Sequence, residues 1–223
     1  MRNIGKLLIV AASVLMFVAP SAFADADSTV VFNGSYAFGN NGVGIPPYGG
    51  TLNGQSEEFY CVDFSHDIVA WDTWPAIVTP LSNTSNYSPT YLYTGNNATT
   101  ETIYQEFAWL ITQEMSAPSN DAAAADQWAI WSLSGGNDPY TGPTDNATFL
   151  LGQALDAVDS GFTGQGWEIL TPDNAAGGQG QEFMVYTPEP SGLLLLGMGL
   201  CALIFVKRRE WFGMRGSLAR SDS

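Results

Sequence analysis

Apolar positions along the chain shift from an extended spacing to a helical one and back. Thr29 to Phe32 reads as a first strand. Residues 33–56 are rich in Gly, Asn and Pro and predict turns or a loop. Glu58 to Phe64, Glu-Phe-Tyr-Cys-Val-Asp-Phe, is extended and mostly apolar. Ala76 to Leu81 makes a further short strand, limited by Pro75 and Pro80. Residues 82–100 are dominated by Ser, Thr, Asn and Tyr. Ile103, Phe107, Leu110, Ile111 and Glu114 then follow helical spacing, with Phe107, Leu110 and Ile111 as the buried stripe. Ala117-Pro118-Ser119-Asn120 ends that helix. Asn120 or Asp121 caps a second helix reaching Leu133, and Gly135-Gly136 stops it. Ala147 to Val158 is a third helix, and Trp167 to Leu170 and Phe183 to Tyr186 are closing strands. Strands, helices and strands in that order predict an α+β domain: a β-barrel or sandwich framework with an inserted helical section. No internal repeat is visible.

Both ends of the chain carry a different pattern. Arg2 and Lys6 precede an apolar run from Leu7 to Ala19, and Ala22-Phe23-Ala24 offers small residues for cleavage. Residues 1–24 therefore read as a signal peptide cut by signal peptidase after Ala24. At the other end Pro188-Glu189-Pro190 leads into an apolar run from Gly192 to Val206, followed by Lys207-Arg208-Arg209. As a helix that run spans roughly 22 Å, against a hydrocarbon core of roughly 30 Å. It suits a transient membrane hold better than a permanent span, and the basic cluster marks the cytoplasmic side. Motif, apolar helix and basic stop together resemble the PEP-CTERM sorting signal of bacterial envelope proteins. The resemblance implies processing by an exosortase near the motif. The chain then divides into a leader over 1–24, an ectodomain over 25–186, a sorting signal over 187–210 and a cytoplasmic tail over 211–223.

Charge sharpens this division. The net charge is −15. Every Lys and Arg lies outside residues 25–186, and every acidic residue except Glu189, Glu210 and Asp222 lies inside. Phosphate binding needs Lys or Arg, so a nucleic-acid partner is excluded. Within the ectodomain an ion pair requires His66 or the α-amine, so apolar burial and neutral hydrogen bonds must stabilise the fold. The ectodomain is rich in aromatics, including Trp71, Trp74, Trp109, Trp128, Trp131 and Trp167. Asn-x-Ser/Thr triplets at Asn33, Asn83, Asn86, Asn97 and Asn146 follow from composition in a bacterial-type exported chain.

The chain has two cysteines, and Cys201 sits in the C-terminal apolar run where it cannot meet Cys61. A single cysteine on an exported domain is a liability unless buried or chemically used. Two segments carry the candidate chemistry: Phe59-Tyr60-Cys61-Val62-Asp63, and Asp126-Gln127-Trp128-Ala129-Ile130-Trp131. In order and spacing they resemble the thioester domains of bacterial surface adhesins. In that family a Cys sulfur and a Gln side-chain carbonyl join with release of ammonia. The resemblance implies Cys61 as the thiol partner and Gln127 as the acyl partner, with Tyr60, Asp63, Trp128, Ile130 and Trp131 in support. A helix places Ile130 and Trp131 on the Gln127 face at i+3 and i+4. They are expected to pack beside the bond and exclude water. The absence of Lys removes the primary amines that would open a thioester from within, although a general acidic bias accounts for it equally.

The implied activity is covalent capture rather than turnover. A nucleophile, such as an amine on a surface partner, attacks the Gln127 carbonyl and Cys61 leaves. Two other readings stand beside it. One is a non-catalytic acidic domain, structural or carbohydrate-associated, in an extracellular polysaccharide layer. There Cys61, Gln127, Trp128 and Trp131 would simply pack, and exposed aromatics would stack on sugars. The other is a Cys-dependent hydrolase using His66, which a single strand over 59–66 would place on the face opposite Cys61. Nothing in the spacing calls for a cofactor, and Asp63, Asp67 and Asp72 do not form a calcium loop.

Overall fold

A computed structural model describes residues 28–82, 84–176 and 180–187. The leader over 1–24, Asn83, the Pro188-Glu189-Pro190 motif, and the apolar run 192–206 with Cys201 lie outside the described residues. So do Lys207, Arg208, Arg209 and the tail. Among the described residues no helix is long and apolar enough to cross a membrane.

Among the described residues eight strands and three α-helices follow one another. The strands are β1 (Ser28–Ser35), β2 (Phe38–Asn40), β3 (Val43–Ile45), β4 (Tyr48–Leu52), β5 (Gln55–Cys61) and β6 (Thr73–Pro80), then β7 (Trp167–Pro172) and β8 (Phe183–Tyr186). Between β6 and β7 lie α1 (Asn97–Met115), α2 (Asn120–Ser132) and α3 (Ala147–Asp159). Six strands close into a barrel in the order β1-β4-β5-β8-β7-β6, with every neighbouring pair antiparallel. The expected β framework with a helical insertion is present, and the framework is a closed barrel.

The segment 33–56, expected as turns or loop, instead holds β2, β3, β4 and the start of β5. Its Gly and Asn residues form hairpins. Asn41-Gly42 and Asn53-Gly54 all have positive φ and join β2 to β3 and β4 to β5. Asn-Gly is the pair that favours such two-residue turns. Gly50 serves a close approach, since a Cβ there would fall 2.2 Å from the Val31 carbonyl oxygen. Pro75 does not limit β6 as expected but lies inside it, opposite Thr29. The Pro75 carbonyl accepts from Asp173 N at 2.9 Å, beyond the last β6–β7 register pair, Ala76 with Pro172. A missing N–H on that side breaks no regular ladder bond.

Strand alternation divides the apolar residues into two cores. Val30, Phe32, Phe59, Cys61, Trp74, Leu170 and Phe183 belong to one, inside the barrel. Tyr60, Val62, Trp167, Ile169 and Met184 turn outward and join Phe107, Leu110 and Ile111 of α1 in the other. The wall formed by β5, β7 and β8 is thus buried on both faces. Helix α2 takes part in both cores: Ala124, Trp128 and Trp131 in the barrel core, Ala125, Ala129 and Ile130 in the helical one. Its residues from Ala123 to Trp131 are all buried. Ser119 is its N-cap, not Asn120 or Asp121: the Ser119 hydroxyl accepts from Ala122 N at 3.2 Å. Asn96 and Asn146 cap α1 and α3 in the same way.

Candidate functional site

Cys61 is the last residue of β5, paired with Phe183 of β8. Period-two alternation sends Cys61 into the barrel core and Tyr60 out of it. Gln127 lies in the middle of α2, where that helix crosses the end of the barrel. Both residues are wholly buried. The Gln127 Nε2 donates to the Cys61 backbone carbonyl at 2.8 Å, joining positions 66 residues apart in sequence. The other end of the amide, Oε1, is buried with no hydrogen-bond partner among the described residues. Buried carbonyls are normally satisfied, so an orphan of this kind calls for an explanation.

The Cys61 thiol is free and donates to the Asp63 carbonyl at 3.0 Å. Burial pushes its pKa up to about 12. The Asp63 backbone and the Trp131 indole N–H pull the other way, while the Asp63 and Glu182 carboxylates add to the rise. A thiol in this setting reacts slowly with solution reagents, because the thiolate is the nucleophile.

The segment after Cys61 folds across the barrel end. The Asp63 carboxylate accepts from Ser65 N at 2.8 Å and meets His66 Nδ1 at 2.6 Å. Phe64 N donates to Ser134 Oγ at 3.0 Å, and Ser65 Oγ donates to the Ser134 carbonyl at 2.5 Å. These bonds fasten the segment to the end of α2. The Phe64 ring then covers Trp128 and Trp131, with centroids 5.3 and 5.2 Å away. Trp128 and Trp131 meet edge to face at 5.1 Å. From the far side the β2–β3 hairpin closes in, with Trp128 Nε1 donating to Asn40 Oδ1 at 3.1 Å. The junction of Cys61 and Gln127 is therefore roofed by three aromatic rings.

Of the residues singled out in the sequence, Cys61, Asp63, Gln127, Trp128 and Trp131 come together. Tyr60 and Ile130 do not join them. Tyr60 packs edge to face on Trp167 at 5.8 Å, and Ile130 lies with Ala125 and Ala129 in the helical core. Strand alternation explains the first. For Ile130 the i+3 position turns it toward α1, whereas i+4 keeps Trp131 on the barrel side. His66 makes no hydrogen bond to Cys61; its side chain is 53% exposed and its ring lies 5.0 Å from Tyr91. It borders a cleft of about 480 Å³ with Val62, Asp63, Tyr91 and Ser134. Val62 packs with the helical core, while Cys61 packs inside the barrel.

Phe64, Ser134 and Asn40 escaped the sequence reading because only tertiary packing brings them to the junction. Glu182 escaped it too. Its wholly buried carboxylate accepts from Tyr91 N at 2.9 Å, Thr171 Oγ1 at 2.6 Å and the Tyr104 hydroxyl. Its own carbonyl accepts from Val62 N at 3.1 Å, bracing the residue next to Cys61. A lone acid beside the apolar run Phe183 to Val185 was the available signal. Glu114 on α1 is buried with neither carboxyl oxygen partnered among the described residues, and burial, with the Asp126 charge adding, raises its pKa well above the carboxylate range. No protein-family model, curated protein or solved structure matches the chain.

Proposed function

We propose that this is an exported, exosortase-processed cell-surface or extracellular-matrix protein whose barrel domain forms an internal thioester between Cys61 and Gln127. The observation that carries the proposal is the Gln127 amide itself: wholly buried, tied by Nε2 to the Cys61 main chain, with Oε1 unpartnered. An amide held against the thiol residue in a dry site needs no activating reagent, since fixed geometry replaces it. Attack of the Cys61 sulfur on the Gln127 side-chain carbonyl carbon forms the C–S bond, and the amide nitrogen leaves as ammonia. The aromatic roof keeps out the water that would hydrolyse the product.

Function then follows as a single covalent capture. A primary amine on a surface partner attacks the thioester carbonyl, an amide forms, and Cys61 is released as a thiol. No second cycle follows, so the protein acts as an adhesive and not as an enzyme. Export and temporary membrane anchoring are read from the leader, the Pro188-Glu189-Pro190 motif, residues 192–206 and the basic stop at Lys207, Arg208 and Arg209.

The test is covalent labelling with isotopic methylamine. The proposal expects label on Gln127 alone and one new alkylatable thiol at Cys61, both absent from Cys61→Ala. Label-free protein with an unmodified Gln127 side chain would rule it out.

One observation favours a second reading, a non-covalent domain of a polysaccharide layer. Trp71 is 73% exposed, and its φ of 73 lies in the left-handed region that a bulky side chain seldom adopts. An indole displayed this way suits stacking on a sugar ring. A Trp71→Ala variant that loses retention on immobilised polysaccharide, beside an unlabelled Gln127, would favour that reading.

A further inference from the structure

Trp131 carries a buried donor with nothing to donate to. Its indole Nε1 has no hydrogen-bond partner among the described residues, and only 2% of the side chain's surface is exposed. Trp128, its edge-to-face neighbour, is different, because its Nε1 is engaged by Asn40. A buried N–H left unpaired is destabilising, and a phenyl ring would fill much of the same space without that cost. The position of Trp131 suggests what the indole is for. It follows Gln127 by one helical turn and shares the barrel core with Cys61. Trp74 Nε1 is also unpartnered in that core, but Trp74 lies on β6, whereas Trp131 shares α2 with Gln127, whose amide bonds the Cys61 main chain.

We propose that the Trp131 indole N–H, buried and unpartnered beside the Cys61–Gln127 junction, is the hydrogen-bond donor to Cys61 Sγ whenever that sulfur carries negative charge. The role deepens the thioester reading and rests on it for its chemical use. In bond formation the thiol loses its proton, the sulfur attacks the Gln127 carbonyl carbon, and the amide nitrogen departs with that proton as ammonia. In capture an incoming amine adds to the same carbon, the C–S bond breaks, and its electron pair returns to sulfur. The amine's proton ends on that sulfur, giving amide and thiol. Both steps pass through a sulfur anion inside an apolar barrel. The surrounding groups oppose that anion: Asp63 follows Cys61 on its own segment, and Glu182 precedes β8. Tyr48 on β4 is pushed further from ionisation by burial and by the Cys61 and Glu114 charges, so it stays neutral. The Trp131 N–H works the other way, lowering the Cys61 pKa where burial and the two carboxylates raise it.

The test compares Trp131→Phe and Trp74→Phe with the parent as purified full-length chains in detergent. The first readout is the rate of methylamine opening. The second is the pH dependence of Cys61 alkylation after opening, which a packing role would leave unchanged. Trp131→Phe is expected to slow opening by about tenfold or more, as loss of one donor to a charged atom should. It should also move the alkylation profile to higher pH, while Trp74→Phe, which loses an unpartnered indole N–H elsewhere in the same core, changes neither. Equal effects of the two variants, or none from Trp131→Phe, would overturn the proposal. If Trp131→Phe unfolds, benzothienylalanine at position 131 keeps the ring shape and removes only the N–H, and the same readouts apply. If the parent contains no thioester, its free Cys61 is alkylated directly. A shifted profile in the Trp131 variant would then uphold the donor while the thioester reading fails, and an unshifted one would sink both.

Discussion

Gln127 reaches from the middle of α2 to the end of β5 and donates to the Cys61 carbonyl at 2.8 Å. This one bond joins the helical insertion to the barrel at the point where the candidate chemistry lies. Gln127→Ala removes the donor, strands a buried carbonyl and leaves a void. Chemical denaturation should show a loss of about 2–4 kcal/mol. A loss below about 0.5 kcal/mol, the range of ordinary surface changes, would show that the bond contributes little to the fold.

Cys61 is buried and its thiol is pushed up to about 12, with burial as the main cause. In any molecules that carry a free thiol, iodoacetamide at pH 8 should react slowly while the protein is native and quickly in denaturant. Equal rates in the two conditions would mean that the barrel end is open.

Stability should fall as pH rises from about 4.5 to 8. Burial raises the Glu182 and Asp126 carboxyls to about 7. A carboxyl whose folded pKa lies above its unfolded value stabilises the fold fully below the unfolded value, and that contribution is lost as pH rises through the folded one. For Glu182 alone the change is roughly 3 kcal/mol. Glu182→Gln should flatten part of this slope. The new amide keeps an oxygen for Tyr91 and Thr171 and offers an N–H to the Tyr104 hydroxyl. Thermal melts across this pH range decide it; an unchanged slope in the variant would remove Glu182 as a cause.

Phe64 roofs Trp128 and Trp131 from a segment fastened by Ser134. Phe64→Ala should destabilise by less than the ~3–5 kcal/mol of a fully buried ring, because Phe64 is only partly buried. Its larger effect should be on access: on the thioester proposal, hydrolysis and reaction with methylamine should both be faster in the variant than in the parent. Unchanged rates would place the entry route elsewhere.

Much of the fold was legible wherever one period ran long enough. The stripe Phe107, Leu110 and Ile111 and the closing strands stand where spacing put them. The segment 33–56 was not legible from composition, because Asn-Gly turns separate strands as short as Phe38–Asn40 and Val43–Ile45. The Asn-Gly pairs themselves were the overlooked signal. At the site, the resemblance carried by the two motifs implied that Cys61 and Gln127 meet, and the Gln127 Nε2 bond to the Cys61 carbonyl joins them. Tyr60 was misjudged because neighbours in a strand face opposite sides, and Ile130 because one helical step separated two cores. Phe64 and Asn40 become neighbours of the junction only through contacts between distant segments, which no local pattern encodes.

The most direct measurement is the intact mass of the purified full-length chain beside Cys61→Ala. The thioester proposal expects the parent to be one ammonia lighter than its sequence requires, with the deficit absent from the variant and abolished by methylamine. A parent of full calculated mass, with an alkylatable Cys61 in denaturant and an intact amide at Gln127, would contradict it. The intact amide matters, because a bond that had formed and hydrolysed would leave a carboxylate at position 127.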